Sequence, residues 1–301
     1  MTLLSRSPDI QRLDTIAKER TYHRSSLLAR AVLGGVHNLL LGNVDFEVIG
    51  SHNLLNAVES AVRRDTGIIV GADHLNNMSV PATAMIAGQV TDVIVPVAST
   101  NYDDPLQRAV YSLAGVGRGG LTGVTYPVPY EMIKDQSGQY IKPKPFSADH
   151  YDGLIDSITS GRKAVVAAVH NPTQGSANND GRLPKRPGLL VPHLSLVSGL
   201  PVLPSLLQVE GQIRNPNQLN DNKLHLSWVL GKKAARLTIG ESIAPSSDDC
   251  GRYRELMQSP KSSAITAERQ RLLQLYGDQI LQWMRDSYDE SFGQGGSLIV
   301  R

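Results

Sequence analysis

Short apolar runs alternate with stretches of helical pattern along most of the chain, and this alternation restricts the fold more than any other feature. Apolar and β-branched runs predict strands at 46–49, 68–70, 92–98, 121–128, 163–169, 201–209, 224–230 and 235–240. Helical spacing predicts helices at 54–64, from Pro81 onward, and at 105–113, 149–160, 189–197 and 265–288. Strands that alternate with helices are typical of βαβ units. The sequence therefore predicts a single α/β domain with a mostly parallel central sheet flanked by helices, and with helical N- and C-terminal extensions.

The predicted domain occupies residues 46–247, between a helical segment at 1–45 and a helical extension at 248–301. Residues 27–41 are the most apolar stretch, but they are fewer than the roughly 20 needed to cross a bilayer and include Arg30, His37 and Asn38. Two interpretations remain: an amphipathic helix that covers the domain's own core, or one that lies in a membrane interface. We expect a cytoplasmic protein, with peripheral attachment to the inner face of a membrane as the alternative.

Net charge and cysteine content argue against several classes of protein and kinds of site. The 30 basic and 28 acidic residues leave a net charge of +2, too balanced to indicate a nucleic-acid-binding protein. Cys250 is the single cysteine, which excludes an internal disulfide framework and a cysteine-rich zinc site. The first residues lack the pattern of a secretory signal peptide.

Two histidines follow predicted strands. Asp73-His74 comes after the strand at 68–70, and His170 comes after the strand at 163–169. Ligands of open α/β sheets bind beyond the carboxyl ends of the strands, so His74 is well placed to act as a base. The alternative is a loop histidine that caps or packs. Two histidines without further ligands at metal spacing do not predict a metal site, and we expect none.

Five blocks of sequence occur in a characteristic order: Asp73-His74 with Ser79 five positions after the histidine, Gly120 to Tyr130, HNPTQGS (170–176) followed by GRLPKR (181–186), GLPVLP (199–204), and LTIGESI (237–243). In this order the chain resembles the lysophosphatidic acid type of the glycerolipid acyltransferase superfamily over roughly residues 46–245. The resemblance implies that His74 removes a proton from an acceptor, which then attacks an acyl thioester of coenzyme A or acyl carrier protein. The thioester is a substrate, and no bound cofactor is implied.

The first block departs from the family, which has an aspartate where this chain has Ser79. Ser79 could accept a hydrogen bond from the His74 ring but supplies no negative charge. Alternatives are Asp73 as the partner carboxylate, a carboxylate from elsewhere such as Glu210, or Ser79 as a helix N-cap only. The candidate catalytic residues are therefore His74, Ser79 and Asp73.

The third block departs further, because Pro172 and Gly175 stand where the resemblance implies a glutamate and an arginine that hold a glycerol phosphate. The candidate substrate-binding residues are Arg118, His170, Gly175, Ser176, Arg182, Lys185 and Arg186. The alternative for the basic ones is a solvated loop tip. We expect a lipid or small-molecule acceptor that need not carry phosphate.

Two functions follow. The first is an acyltransferase of lipid metabolism with His74 as general base and a hydroxyl or amine acceptor. The second is a catalytically inactive protein of the same fold that binds lipid, acyl chains or a partner protein. His74 favours the first, and Ser79 with the altered third block favours the second.

Overall fold

The computed structural model describes residues 45–74, 79–88, 90–98, 123–128, 133–134, 140–141, 151–170, 186–209 and 234–289. Its strands are β1 (Asp45–Ile49), β2 (Ile68–Ala72), β3 (Val93–Ala98), β4 (Gly123–Val128), β5 (Ile133–Lys134), β6 (Tyr140–Ile141), β7 (Ala164–Ala168), β8 (Val202–Val209) and β9 (Ala234–Ile239). Its helices are α1 (Ser51–Arg64), α2 (Ser79–Ala87), α3 (Asp152–Thr159), α4 (Leu190–Ser198), α5 (Ser247–Gln258) and α6 (Ser263–Asp286).

Seven of these strands form one mixed sheet in the order β1-β9-β8-β2-β7-β3-β4. The five strands from β8 to β4 run parallel to their neighbours, β9 is antiparallel to β8, and β1 is parallel to β9. The prediction of an α/β fold with a mostly parallel sheet is confirmed. β5 and β6 form a separate antiparallel pair.

The centre of the sheet is apolar on both faces, as expected for parallel strands covered by helices on each side. All five residues of β2 are buried. Ile68 and Val70 belong to the core beneath α1 and α2, whereas Ile69 belongs to the core beneath α3, α4, α5 and α6. Burial of both faces explains why these strands appear in the sequence as continuous apolar runs.

The two C-terminal helices are part of the second core. Each begins with a serine cap: the Ser246 side chain accepts a hydrogen bond from the Asp249 backbone N–H, and the Ser262 side chain from that of Ile265. The buried face of α6 follows helical spacing, since Leu272, Leu273, Tyr276, Ile280 and Met284 are buried and Trp283 is partly buried against them. These helices close one face of the sheet.

Several sequence predictions fall outside the described residues: residues 1–44 of the predicted N-terminal segment with its apolar stretch at 27–41, the helix at 105–113 and the strand at 224–230. Asp45, the last residue of that predicted segment, is the first residue of β1. Of the helices that the structure describes, none combines the length and apolarity needed to cross a membrane.

Candidate functional site

His74 and His170 lie beside each other where two adjacent strands end. β2 and β7 are paired in parallel with Ala72 opposite Ala168, and the Val169 N–H donates to the Ala72 carbonyl at 2.8 Å. The two imidazole centroids are 6.4 Å apart, with the ring planes at 60°. His74 is half-buried and His170 is 2% exposed. The pair therefore lies at the carboxyl edge of the sheet, the location at which ligands of such folds bind.

A backbone hydrogen bond connects the two histidines. The His74 N–H donates to Nε2 of His170 at 2.9 Å. An imidazole nitrogen that accepts a hydrogen bond carries no proton, so His170 is neutral and its ring proton is on Nδ1. One nitrogen of His170 is therefore already used to hold the main chain at His74.

Asp73 points into the protein interior. Its carboxylate is fully buried; Oδ1 accepts from the Leu207 N–H at 2.7 Å and Oδ2 accepts from the Ser79 hydroxyl at 2.6 Å. The Asp73 N–H donates to the Ser205 carbonyl at 3.0 Å, which continues the pairing of β2 with β8. A buried carboxylate must be compensated by donors, and these two bonds provide that compensation.

Ser79 is fully buried at the first residue of α2, and its one hydroxyl proton is donated to Asp73. Its oxygen keeps lone pairs that can accept a hydrogen bond from a ring N–H. From the sequence, Asp73 and Ser79 were alternative partners for His74, whereas in the structure they are bonded to each other. The available signal was a carboxylate at the end of a strand with a hydroxyl at the start of the following helix.

A second polar contact lies between α2 and β8. The Thr83 and Ser205 hydroxyl oxygens are 3.1 Å apart, and both side chains are buried. The Ser205 hydroxyl also lies 3.5 Å from the Gly71 carbonyl. These small hydroxyls connect α2 to the same two strands that Asp73 connects, so the helix that carries Ser79 is fixed relative to the strand end.

The chain returns to this edge of the sheet just before α4. The Gly188 N–H donates to the Val169 carbonyl at 2.6 Å. A Cβ atom at Gly188 would lie 3.1 Å from that carbonyl oxygen and 3.4 Å from the His170 Cα, so the main chain packs closely against the His170 backbone. Arg186, two residues earlier, is exposed. Among the candidate substrate-binding residues, His170 therefore lies at the site beside His74. Arg186 has an exposed side chain.

The other candidate substrate-binding residues lie outside the described residues: Arg118, Gly175, Ser176, Arg182 and Lys185. Pro172 and Glu210 lie outside them as well. Within the part of the chain that the structure describes, no group of three or more histidine, cysteine, aspartate or glutamate side chains is arranged to hold a metal ion.

A separate polar cluster stabilises the helical layer. Nδ1 of His193, on α4, lies 2.8 Å from the Tyr253 hydroxyl of α5, and the Tyr276 hydroxyl of α6 donates to the Ile243 carbonyl at 2.6 Å. Burial raises the pKa of Tyr253 to about 12 and that of Tyr276 to about 12. Both phenols are therefore neutral hydrogen-bonding groups of the core at physiological pH.

Comparison with models of known protein families gave no match to this chain. No curated protein has a significantly similar sequence.

Proposed function

We propose that the protein is an acyltransferase that moves an acyl group from a thioester of coenzyme A or acyl carrier protein to a hydroxyl or amine acceptor, with His74 as the general base. The observation that supports this most directly is the position of His74: a half-buried imidazole just beyond the carboxyl end of the central strand β2. Imidazole is the side chain that most often acts as a general base in enzymes. The proposal also rests on the resemblance of the sequence blocks to glycerolipid acyltransferases.

In this reaction His74 takes the proton of the acceptor as the acceptor oxygen or nitrogen bonds to the thioester carbonyl carbon. The resulting tetrahedral oxyanion collapses, the carbon–sulfur bond breaks, and the leaving thiolate receives the proton from the imidazolium. Ester or amide and free thiol are the products, and the base is regenerated. The chain's own contribution is to hold the imidazole, since the donor brings its own activated acyl group.

A positively charged His74 is formed during this reaction and needs a negative charge nearby. We assign that role to Asp73, whose carboxylate is held by Ser79 and Leu207. The Ser79 hydroxyl gives its proton to Asp73 and keeps a lone pair for the His74 ring. In this arrangement the serine replaces the aspartate of the related enzymes by linking the imidazole to a carboxylate one residue away in sequence.

The proposed acceptor is a lipid or small molecule that need not carry phosphate. Pro172 and Gly175 replace the glutamate and arginine that the resemblance implies, and Arg186 is solvent-exposed. Phosphate recognition relies on charge-assisted donors, ideally a bidentate arginine. A peripheral membrane location, on the inner face, would bring the chain to lipid acceptors, and flotation with anionic liposomes tests that location.

The test of the proposal is release of free thiol from a panel of acyl-coenzyme A and acyl-carrier donors in the presence of mixed acceptors. We expect His74→Ala to reduce turnover by about 10²- to 10⁴-fold, the usual contribution of a general base. His52→Ala is the matched control, because His52 is an exposed histidine on α1. Turnover that is the same in the wild type and in His74→Ala would exclude His74 as the base.

A catalytically inactive binding protein is the second candidate, and one observation favours it. The residue at the fifth position after His74 is neutral, and its hydroxyl proton is already donated to Asp73. Absence of thiol release from wild type and variant alike, together with saturable binding of a fluorescent acyl chain, would support this function over the first.

A further inference from the structure

We infer that His170 is a positioning residue for His74: its Nε2 atom holds the main chain from which the His74 imidazole projects. This inference rests on the proposed function, because it concerns how the proposed base is kept in place. It assigns His170 a different role from direct contact with substrate, which the sequence had suggested.

The hydrogen bond comes where the regular pairing between β2 and β7 ends. That pairing ends with Ala72 opposite Ala168, and the Val169 N–H still donates to the Ala72 carbonyl. Beyond this point the His74 N–H donates to a side chain of the segment that follows β7: its acceptor is Nε2 of His170, at 2.9 Å. A backbone N–H needs a partner when water is excluded, and this partner also restricts the dihedral angles of His74. Those angles set the direction of the imidazole.

The His170 ring is itself fixed. It is 2% exposed, and the backbone on its N-terminal side is bonded to β2 through Val169. Further along the chain, the Gly188 N–H donates to the Val169 carbonyl, and the Gly188 backbone packs close to the His170 Cα. A ring so buried, with Nε2 already accepting a bond, is better suited to support a neighbour than to bind substrate. Small displacements of a reacting group cost large factors in rate, so this support affects catalysis.

Two substitutions at His170 distinguish its role as a hydrogen-bond acceptor from the presence of the imidazole ring itself. His170→Gln places an amide oxygen near the position of Nε2 and can accept the His74 N–H, whereas His170→Ala leaves that N–H without its acceptor. We expect kcat to fall about 100-fold in His170→Ala with KM little changed, and to recover most of this loss in His170→Gln. A residue that bound substrate directly would instead raise KM in both variants.

His193 provides the matched control for loss of a buried imidazole. It is 1% exposed and bonded to Tyr253 in the helical layer. His193→Ala therefore removes a buried imidazole as His170→Ala does, and we expect kcat within about threefold of wild type because the bond of His193 to Tyr253 joins α4 to α5. Equal losses of kcat in His193→Ala and His170→Ala would overturn the positioning role.

Nuclear magnetic resonance tests the hydrogen bond without any turnover. We expect the ¹⁵N shifts of His170 to show a protonated Nδ1 and an unprotonated Nε2, and hydrogen exchange of the His74 amide to be slow in wild type and in His170→Gln but fast in His170→Ala. An Nε2-protonated His170, or exchange that is unchanged in His170→Ala, would overturn the inference. Wild-type turnover that His170→Ala leaves intact would overturn the positioning role alone. The expected tautomer together with no turnover from the wild type would instead overturn the proposed function and the role that rests on it.

Discussion

The Oγ atom of Ser79 lies 2.6 Å from Oδ2 of Asp73, and both side chains are fully buried. The bond connects the end of β2 to the start of α2, and the Leu207 N–H holds the other carboxylate oxygen from β8. Three elements of secondary structure therefore meet at one carboxylate, and its residue immediately precedes the proposed base in the sequence. The bond serves the stability of the fold as well as the proposed reaction.

Ser79→Ala removes a hydroxyl donor to the buried Asp73 carboxylate. Because hydrogen bonds to charged groups contribute more than neutral ones, we expect the free energy of unfolding to fall by about 1.5–3 kcal/mol. Urea denaturation of wild type and variant measures the difference. Ser160→Ala is the control, since Ser160 is exposed just after α3 and its hydroxyl donates to the Asp156 carbonyl, so its cost should stay within about 0.5 kcal/mol. Equal costs for the two variants would contradict the prediction.

Ser79→Asp introduces the residue type that glycerolipid acyltransferases, which the sequence blocks resemble, have at this position, but it places a second carboxylate against Asp73. Two carboxylates at such a distance cannot both be ionised, so we expect this variant to be less stable at pH 7 than Ser79→Ala, and to regain stability at acidic pH as one of the pair is protonated. Adding Asp73→Asn should relieve the repulsion, with a favourable coupling energy of at least about 1 kcal/mol in the double-mutant cycle. Additive effects in that cycle would show that the two side chains do not interact.

Because Tyr253 and Tyr276 are buried as neutral phenols, we expect the protein to lose stability at alkaline pH. Burial raises each pKa from 10.0 to about 12 in the folded protein. Between these values the unfolded chain releases phenolic protons that the folded protein retains, so stability is unaffected below pH 10 and falls as the pH rises from 10 to 12. The expected loss is about 1.4 kcal/mol per tyrosine at pH 11, from unfolding free energies measured at pH 9 and 11. In Tyr253→Phe the contribution of one tyrosine to this loss should disappear. If the unfolding free energy falls as much between pH 9 and 11 in Tyr253→Phe as in the wild type, Tyr253 is not a buried, neutral phenol.

Gly277→Ala should destabilise the protein although alanine favours helices by up to about 1 kcal/mol over glycine. A Cβ at Gly277 would lie 2.6 Å from the ring of Pro187, the residue that precedes Gly188. We expect a net loss of about 1–3 kcal/mol from overpacking. Gly251→Ala is the matched helical control: nothing lies within 4 Å of its Cβ position, so it should gain about 0.5–1 kcal/mol. The prediction fails if both alanines stabilise the protein in thermal and urea unfolding.

The described strands and helices were largely predictable, because each depends on a local pattern. β2 and β7 are continuous apolar runs, and the buried face of α6 follows helical spacing. The helix α5 begins one residue before the predicted C-terminal helical extension at 248–301, and the sequence did not predict it as a separate element. Three of its residues are buried (Cys250, Tyr253 and Leu256), and the local signal for the helix is its N-terminal serine cap, Ser246.

The order of the strands and the contacts of the site could not be predicted in the same way. The sequence places His74 and His170 at strand ends, but only the adjacency of β2 and β7 makes them neighbours. The antiparallel pairing of β9 with β8 depends on partners far apart in the chain. The bond between Asp73 and Ser79 depends on the direction in which a side chain leaves the strand end, and no pattern of residue types specifies that direction.

The pairing of β1 with β9 has a consequence for biosynthesis. Glu47 of β1 and Arg236 of β9 form an ion pair across 189 positions, and every residue of β1 is matched with a residue of β9. On the ribosome β1 emerges early, yet the strand beside which it lies in the described sheet is made much later. A nascent chain arrested after β8 exposes two strand edges that are prone to pair with other chains. Both edges are covered in one step when β9 leaves the exit tunnel, so the described sheet cannot be completed before β9 is made, and chaperone protection is needed most in the interval between β8 and β9.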